Sequence, residues 1–190
     1  VNEGFVIPNA DLVDTLQGAT IDASLNFVFK PDAGEQIFDL FSNVNGSSNP
    51  AANRGVFITY INNDPSFNAI ALYIQETGGN SYRAKFPYDS ITLGEWNFIT
   101  FTYNASTGSC KLFVNSSEIT AIVNDLATRT PATNPNDFTI GGDNGGGFGY
   151  LNGIINHFSV IDGQMSLSQH TEWYNNGNPL NPQTVFGSDC

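Results

Sequence analysis

Between residues 19 and 29 the chain alternates with a period of two. Ala19, Ile21, Ala23, Leu25, Phe27 and Phe29 fall on one face, and Thr20, Asp22, Ser24 and Asn26 on the other. In an extended strand successive side chains point to opposite faces, so this run predicts a half-buried antiparallel strand with one face in a core. Val28 alone breaks the polar face. Further runs at 36–42, 55–62, 69–76, 81–86, 96–104 and 110–115 are each closed by Gly, Pro, Asn, Asp or Ser, and two more follow at 138–142 and 151–161, separated by the glycine-rich loop 143–149. Many short strands at this spacing describe a two-sheet sandwich or a barrel. Residues 104–109, small and polar with Gly108, predict a hairpin that makes neighbours of 96–103 and 111–114.

Composition agrees with strand and turn. The 19 Gly and 9 Pro supply turns together with abundant Asn, whereas the good helix formers Lys, Glu and Met are scarce. Fifteen Phe, seven Tyr and two Trp give a folded chain a core that an acidic disordered segment lacks. With 18 acidic and 6 basic residues the formal net charge is -12, which excludes a nucleic-acid binder working through a basic phosphate-tracking surface. One stretch reads as helix, 166–175, with Ser166 as cap, Glu172 inside and Gly177 just past its end. Residues 178–190 hold two prolines and no period, so the expected division is a sandwich over 1–177 and a tail or linker over 178–190. No run of 18 apolar residues occurs, and no membrane-spanning helix is predicted. The start Val1-Asn2-Glu3-Gly4 lacks Met, a basic n-region and an apolar h-region, and reads as a mature form or an excised piece. Cys110 and Cys190 either bridge or remain two free thiols, since spacing does not decide between them.

Three blocks carry a family likeness. Glu95-Trp96-Asn97-Phe98 leads a strand, an Asn104 to Gly108 hairpin follows, and Leu112-Phe113-Val114-Asn115 gives an L-x-V-N pattern with Ser116 in place of the usual Gly. Ile140-Gly141-Gly142 precedes Tyr150 to Val160, a last long strand of G-x-I-D-E type in which Asn156 and His157 replace the acidic pair. Met165-Ser166 to Trp173-Tyr174-Asn175-Asn176-Gly177 matches a closing L-S-x-x-E-I…L-Y-N-x-G helix. More loosely, Gly4-Phe5-Val6-Ile7-Pro8 and residues 21–31 fit the opening strands. Over about residues 4–177 the chain thus resembles the laminin-G-like and concanavalin-A-like lectin jelly-roll domains, a group that includes pentraxin-type sandwiches. The resemblance implies an all-β fold: an antiparallel two-sheet jelly-roll sandwich with one short helix near the C-terminus. It also implies a concave face and a rim of loops where ligands bind, sometimes through calcium. Alternation places Leu25, Phe27, Phe98 and Leu112 in the dry layer between the sheets.

Glycosidases that share this jelly roll carry acidic residues at short spacing on one strand, facing a cleft. Their E-x-D-x-x-E pattern is absent; Glu35 with Asp39, and Asp22 alone, lack a same-face partner two residues away, so no enzyme is expected. Cys110, His157 and His170 show no nucleophile elbow or partner motif, and His157 is expected to face solvent or fill a polar network. Cys and His are too few and scattered for zinc. Calcium takes six to eight oxygens, and loop Asp and Asn are abundant; the candidate ligands are Asp64 beside Asn62, and Asp143 with Asn144. A second candidate place bridges the N-terminal segment near Glu3 to Asn156. Sugar rings stack on aromatic faces while amides and carboxylates take their hydroxyls, which nominates Tyr82, Tyr88, Phe148 and Tyr150 with Asn62, Asp143 and Asn144 as partners. Sequons stand at Asn45, Asn104 and Asn115.

The leading expectation is a non-catalytic recognition or adhesion module, extracellular or at a cell surface, that binds a glycan or a protein through loops at the sandwich edge. A virion structural protein is the alternative, because similar domains decorate phage capsids and tail fibres and their helix is followed by an N-x-G-x-P stretch like Asn175 to Pro179. Symmetric assembly would then supply its partners. A glycosidase-like enzyme comes third.

Overall fold

The computed structural model describes residues 5–8, 16, 22–34, 36–42, 55–76, 80–104, 106–127, 131–132, 137–142 and 149–180. Their strands are β1 (Phe5–Ile7), β2 (Asp22–Pro31), β3 (Ile37–Ser42), β4 (Val56–Ile61), β5 (Ala69–Gln75), β6 (Ser81–Phe86), β7 (Asn97–Asn104), β8 (Ser109–Val114), β9 (Ser117–Ile119), β10 (Val123–Asn124), β11 (Phe138–Ile140) and β12 (Gly153–Asp162), followed by the helix α1 (Leu167–Tyr174). Two antiparallel sheets result, one ordered β1-β11-β3-β4-β5-β6-β10 and the other β12-β2-β7-β8-β9. Strand spacing leaves a sandwich or a barrel open, and the outcome is the all-β jelly-roll sandwich that the family resemblance implies, with 104–109 closing the β7–β8 hairpin. No helix among the described residues is long and apolar enough to cross a membrane.

The inward faces interlock through rings. Leu25, Phe27 and Phe29 of β2 lie opposite Phe101, Ile99 and Asn97 of β7, and across the sheets Phe41 of β3 stacks on Phe158 of β12 at 5.5 Å and meets Phe27 edge-on at 6.4 Å. Such pairs add roughly 0.5–1.5 kcal/mol each beyond the area they bury. Cys110 is a free thiol buried in this layer, and burial pushes it far above the usual thiol range. Phe98 departs from expectation. It pairs with Val28, one residue out of phase with Phe27–Ile99, so it faces away from the inter-sheet core. There it packs with Val28 and the buried Trp173 of α1. The polar face of β2 is therefore not solvated: α1 and the segment leading into it lie over the outer face of the five-stranded sheet, Gly163 and Met165 bonding Ser24 and Trp173 packing with Val28, and Ser24, Asn26 and Val28 are buried.

The helix is held at its start by a capping box, in which the Ser166 side chain accepts from the Gln169 backbone N–H and Gln169 returns the bond to Ser166. Asn175 in the left-handed conformation ends it. Gly153 opens β12 at φ +154, where an added Cβ would sit 2.2 Å from the Lys30 carbonyl oxygen, so only glycine permits this approach.

Candidate functional site

β6 has the sequence Ser-Tyr-Arg-Ala-Lys-Phe. Its alternation sends Tyr82, Ala84 and Phe86 to the core and leaves Arg83 and Lys85 on the outward face of the seven-stranded sheet. Register then sets their neighbours. Arg83 lies opposite Tyr73, and Tyr73 opposite Phe57, whose ring stacks on Tyr73 at 4.7 Å and 3°. Lys85 lies opposite Ala71 in the next row, which continues through Thr59 to Asp39. Asp39, Thr59, Ala71 and Phe57 are buried, whereas Tyr73, Arg83 and Lys85 are half-buried, so this face is closed over β3 and β4 and accessible toward β6.

The loop between β4 and β5 borders the accessible part. Phe67 is 49% exposed, and the Lys85 Nζ stands 5.7 Å from its ring centroid, within cation–π range. Tyr88, in the single turn 88–90 after β6, is 38% exposed. Asp125 fixes the β6 backbone, its Oδ1 accepting from the Arg83 N–H at 2.5 Å and its own N–H donating to the Arg83 carbonyl at 3.0 Å. The Arg83 Nε is buried without a hydrogen-bond partner, and neither Arg83 nor Lys85 forms an ion pair among the described residues.

The loop residues nominated by sequence fall into three groups. Asn62 and Asp64 lie on the same loop as Phe67, but much of their polar capacity is spent on the loop itself. Asn62 Oδ1 accepts from the Gln36 N–H at 2.6 Å and its Nδ2 donates to the Gly34 carbonyl, while Asp64 Oδ1 accepts from the Ser66 N–H at 2.9 Å. Tyr88 joins them at this end, near Tyr60, whose hydroxyl is pushed up to about 12 by burial, with the Asn62 hydrogen bond opposing and Tyr88 and Asp89 reinforcing. Tyr82 packs on the core, and Tyr150 lies against Gly142, where a Cβ would stand 2.2 Å from its ring. Asp143, Asn144 and Phe148 lie outside the described residues, as do Glu3, Glu35, Asn45 and Cys190. Of the sequons within them, Asn104 holds Asp22 and the hairpin turn, and Asn115 sits at φ 53 with its Oδ1 accepting from the Phe98 N–H.

Among the described residues no group of three or more His, Cys, Asp or Glu is placed to share an ion. Asn156 is the bulged residue of β12 and lines a mainly apolar cleft of about 290 Å³ with Phe5, Ile140, Ile155 and Phe158. The imidazoles end a polar chain beneath α1. His157 Nε2 meets Ser159 Oγ at 3.2 Å, Asn26 Nδ2 donates to Ser159 Oγ at 3.2 Å, Thr100 Oγ1 donates to Asn26 Oδ1 at 2.6 Å, and Thr100 Oγ1 meets His170 Nδ1 at 2.8 Å. Burial lowers the proton affinity of both rings. This chain is a polar network, one of the two roles expected for His157.

Sequence reasoning missed Arg83, Lys85, Tyr73 and Phe67. The signal was present for the first two, because adjacent outward cations on one strand are conspicuous in a chain with six basic residues. Trp96 precedes β7 and is 40% exposed, so the strand begins one residue later than expected.

A family model described as the concanavalin A-like lectin/glucanases superfamily matches residues 2–169. The fold is similar to the sialidase-derived module CBM40 of the Ruminococcus gnavus IT-sialidase, with a TM-score of 0.66 at 16% identity, covering 90% of this chain and 92% of that one. It is also similar to the native heptameric SAP-like pentraxin of Limulus polyphemus, with a TM-score of 0.59 at 16% identity over 88% of this chain and 76% of the other. The NanB sialidase of Streptococcus pneumoniae gives a TM-score of 0.67 at 21% identity, with 90% of this chain matched to 26% of the sialidase. No curated protein matches the sequence.

Proposed function

Because this chain belongs to the concanavalin A-like lectin/glucanases superfamily, we propose that it is a non-catalytic recognition module whose ligand is a glycan. One observation carries the reading: the half-exposed ring of Phe67 stands against Lys85, beside the outward row of Tyr73 and Arg83, so an aromatic face and hydrogen-bond donors share one accessible surface. Sugars are held by that combination, C–H faces on rings and hydroxyls on polar groups. The Ruminococcus gnavus module is known in complex with α2,3 sialyllactose, which supports a sugar ligand for a sandwich of this shape. Asn62 and Asp64, on the loop that carries Phe67, form the polar rim of the proposed surface, and Tyr82, Tyr88 and Tyr150 are left out of it. An extracellular or surface location follows from the same reading, and a calcium ion would have to draw its oxygens from loops beyond Asp64 alone.

A broad glycan array followed by isothermal titration tests the proposal. Phe67→Ala should weaken binding by roughly tenfold, the loss of one stacked ring. Bound oligosaccharides should be recovered uncleaved after long incubation. An array on which no glycan binds, with and without added calcium, refutes the reading.

A further inference from the structure

We infer that the glycan this surface selects is an acidic one, presenting a single carboxylate or sulfate to Arg83 and Lys85. The inference rests on the glycan reading above and names the substrate class of the same site. It begins with where the few cations are. Among the described residues the basic side chains are Lys30, Arg83, Lys85 and Lys111, and Lys111 is ion-paired to Glu118 at 3.3 Å on the other sheet. Arg83 and Lys85 point the same way from β6, about 7 Å apart along the strand. Neither has a carboxylate partner among the described residues; Asp125 spends its contact on the Arg83 backbone, not on the guanidinium.

The second observation is that the Arg83 guanidinium has no hydrogen-bond acceptor among the described residues: its Nε is buried, so the terminal N–H groups are the donors a ligand can reach. A guanidinium binds best when a planar anion accepts two of its N–H groups side by side. Lys85 adds a point charge beside the Phe67 ring, so an anionic substituent and a sugar face can be engaged together. A neutral hydroxyl would satisfy the hydrogen bond and leave two positive charges uncompensated.

The same charge distribution limits the ligand to one compact anionic group. With a net charge of -12 the molecule repels an extended polyanion along its length. A terminal acidic sugar needs favourable potential only over about 8–10 Å, the range that physiological salt leaves unscreened. Polysulfated chains and nucleic acids fall outside this class.

Calorimetric titration with lactose, 3′-sialyllactose and 3′-sulfolactose tests the inference, the last two separating carboxylate from sulfate. At least one acidic probe should bind roughly 10- to 100-fold tighter than lactose, the worth of a charge-assisted hydrogen bond. Arg83→Gln and Lys85→Gln should each remove most of that preference, and Lys111→Gln, an equal loss of charge on the opposite sheet, should keep it. Circular dichroism checks each fold, and Lys85→Gln carries the test if Arg83→Gln fails to fold. Equal binding of lactose and both acidic probes, or binding confined to neutral glycans on the array, overturns the acidic class while leaving the glycan reading intact. A preference that survives both β6 substitutions overturns the assignment to these residues. No binding to any glycan, acidic or neutral, overturns both.

Discussion

Acidification should loosen the sandwich through His170. This ring is buried between α1 and the five-stranded sheet, 5.5 Å from Phe113 and 5.7 Å from Trp173. The Thr100 hydroxyl has one proton and donates it to Asn26, so His170 must be the donor at Nδ1, and Nε2 is left as a bare, buried lone pair. Protonation at Nε2 places a charge where water is absent. Burial therefore lowers the pKa from its ordinary 6.5 to about 4, with the nearby Asn115 carbonyl opposing without making a well-aligned bond. The charged groups on this face are Lys30, the Lys111–Glu118 pair, Glu172 of α1 and Asp22, which accepts from Asn104, and none bonds the ring. As pH falls, the unfolded chain takes the proton first, so the His170 contribution is fully present above about pH 7 and is lost as pH falls through 6.5 toward 4. The fall from 6.5 to about 4 corresponds to about 3 kcal/mol, of which about 2 kcal/mol is already lost at pH 5, before most carboxylates titrate. His157, also lowered by burial, adds a loss of the same sign.

Urea unfolding at pH 8 and pH 5, followed by tryptophan fluorescence, reads this difference directly, since Trp173 packs against both imidazoles. His170→Gln keeps a group able to donate to Thr100 but cannot titrate, and should flatten most of the pH dependence whatever it does to the absolute stability. Histidine NMR should show the Nδ1–H tautomer at neutral pH and a midpoint near 4. Parallel pH profiles for the variant and the parent, or a His170 midpoint above 6, would refute the reasoning.

Three further outcomes follow from particular contacts. Thr100→Val removes the hydroxyl between Asn26 and His170 and should cost about 2–4 kcal/mol in chemical denaturation, because two buried polar atoms lose their partner; a loss under 0.5 kcal/mol would mean the chain is not intact in solution. Gly153→Ala forces a Cβ against the Lys30 carbonyl at φ +154 and should cost about 3 kcal/mol, read as a lowered urea midpoint with the slope unchanged. Cys110 should resist alkylation by iodoacetamide in the native protein and react only on unfolding, since its thiol is buried and its pKa pushed up; fast native labelling would place it elsewhere.

The sandwich was legible because its strands report their own inward face. Leu25, Phe27 and Phe29 recur at every second position and lie in the core, and the 104–109 turn chemistry paired β7 with β8. The outer faces were not legible, since period-two alternation says that two faces differ and not what covers each. Val28, the one apolar break on the polar side of β2, was the visible trace of α1: it packs with Phe98 and Trp173, and the polar residues beside it bond to each other and to His170 instead of to water. Phe98 was misplaced for the same reason, because a phenylalanine facing a docked helix looks in sequence like one facing a second sheet.

The candidate site was harder to read because its parts lie on β5, β6 and the loop at 62–68, and only register joins them. Tyr73 and Arg83 are ten positions apart in sequence yet directly opposite in the sheet, with Phe57 beyond them in the same row. Reasoning from loops selected Asn62 and Asp64, residue types that bind ligands and also build turns, and the second use takes much of their capacity here. Strand positions can be separated more cleanly. A cation on an inward face would be buried among Leu72, Ile74 and Phe86, so the alternation of β6 alone forces Arg83 and Lys85 outward. With α1 covering the outer face of the five-stranded sheet and closing around a neutral imidazole, the cationic stretch of the opposite sheet is where recognition by charge has room to occur.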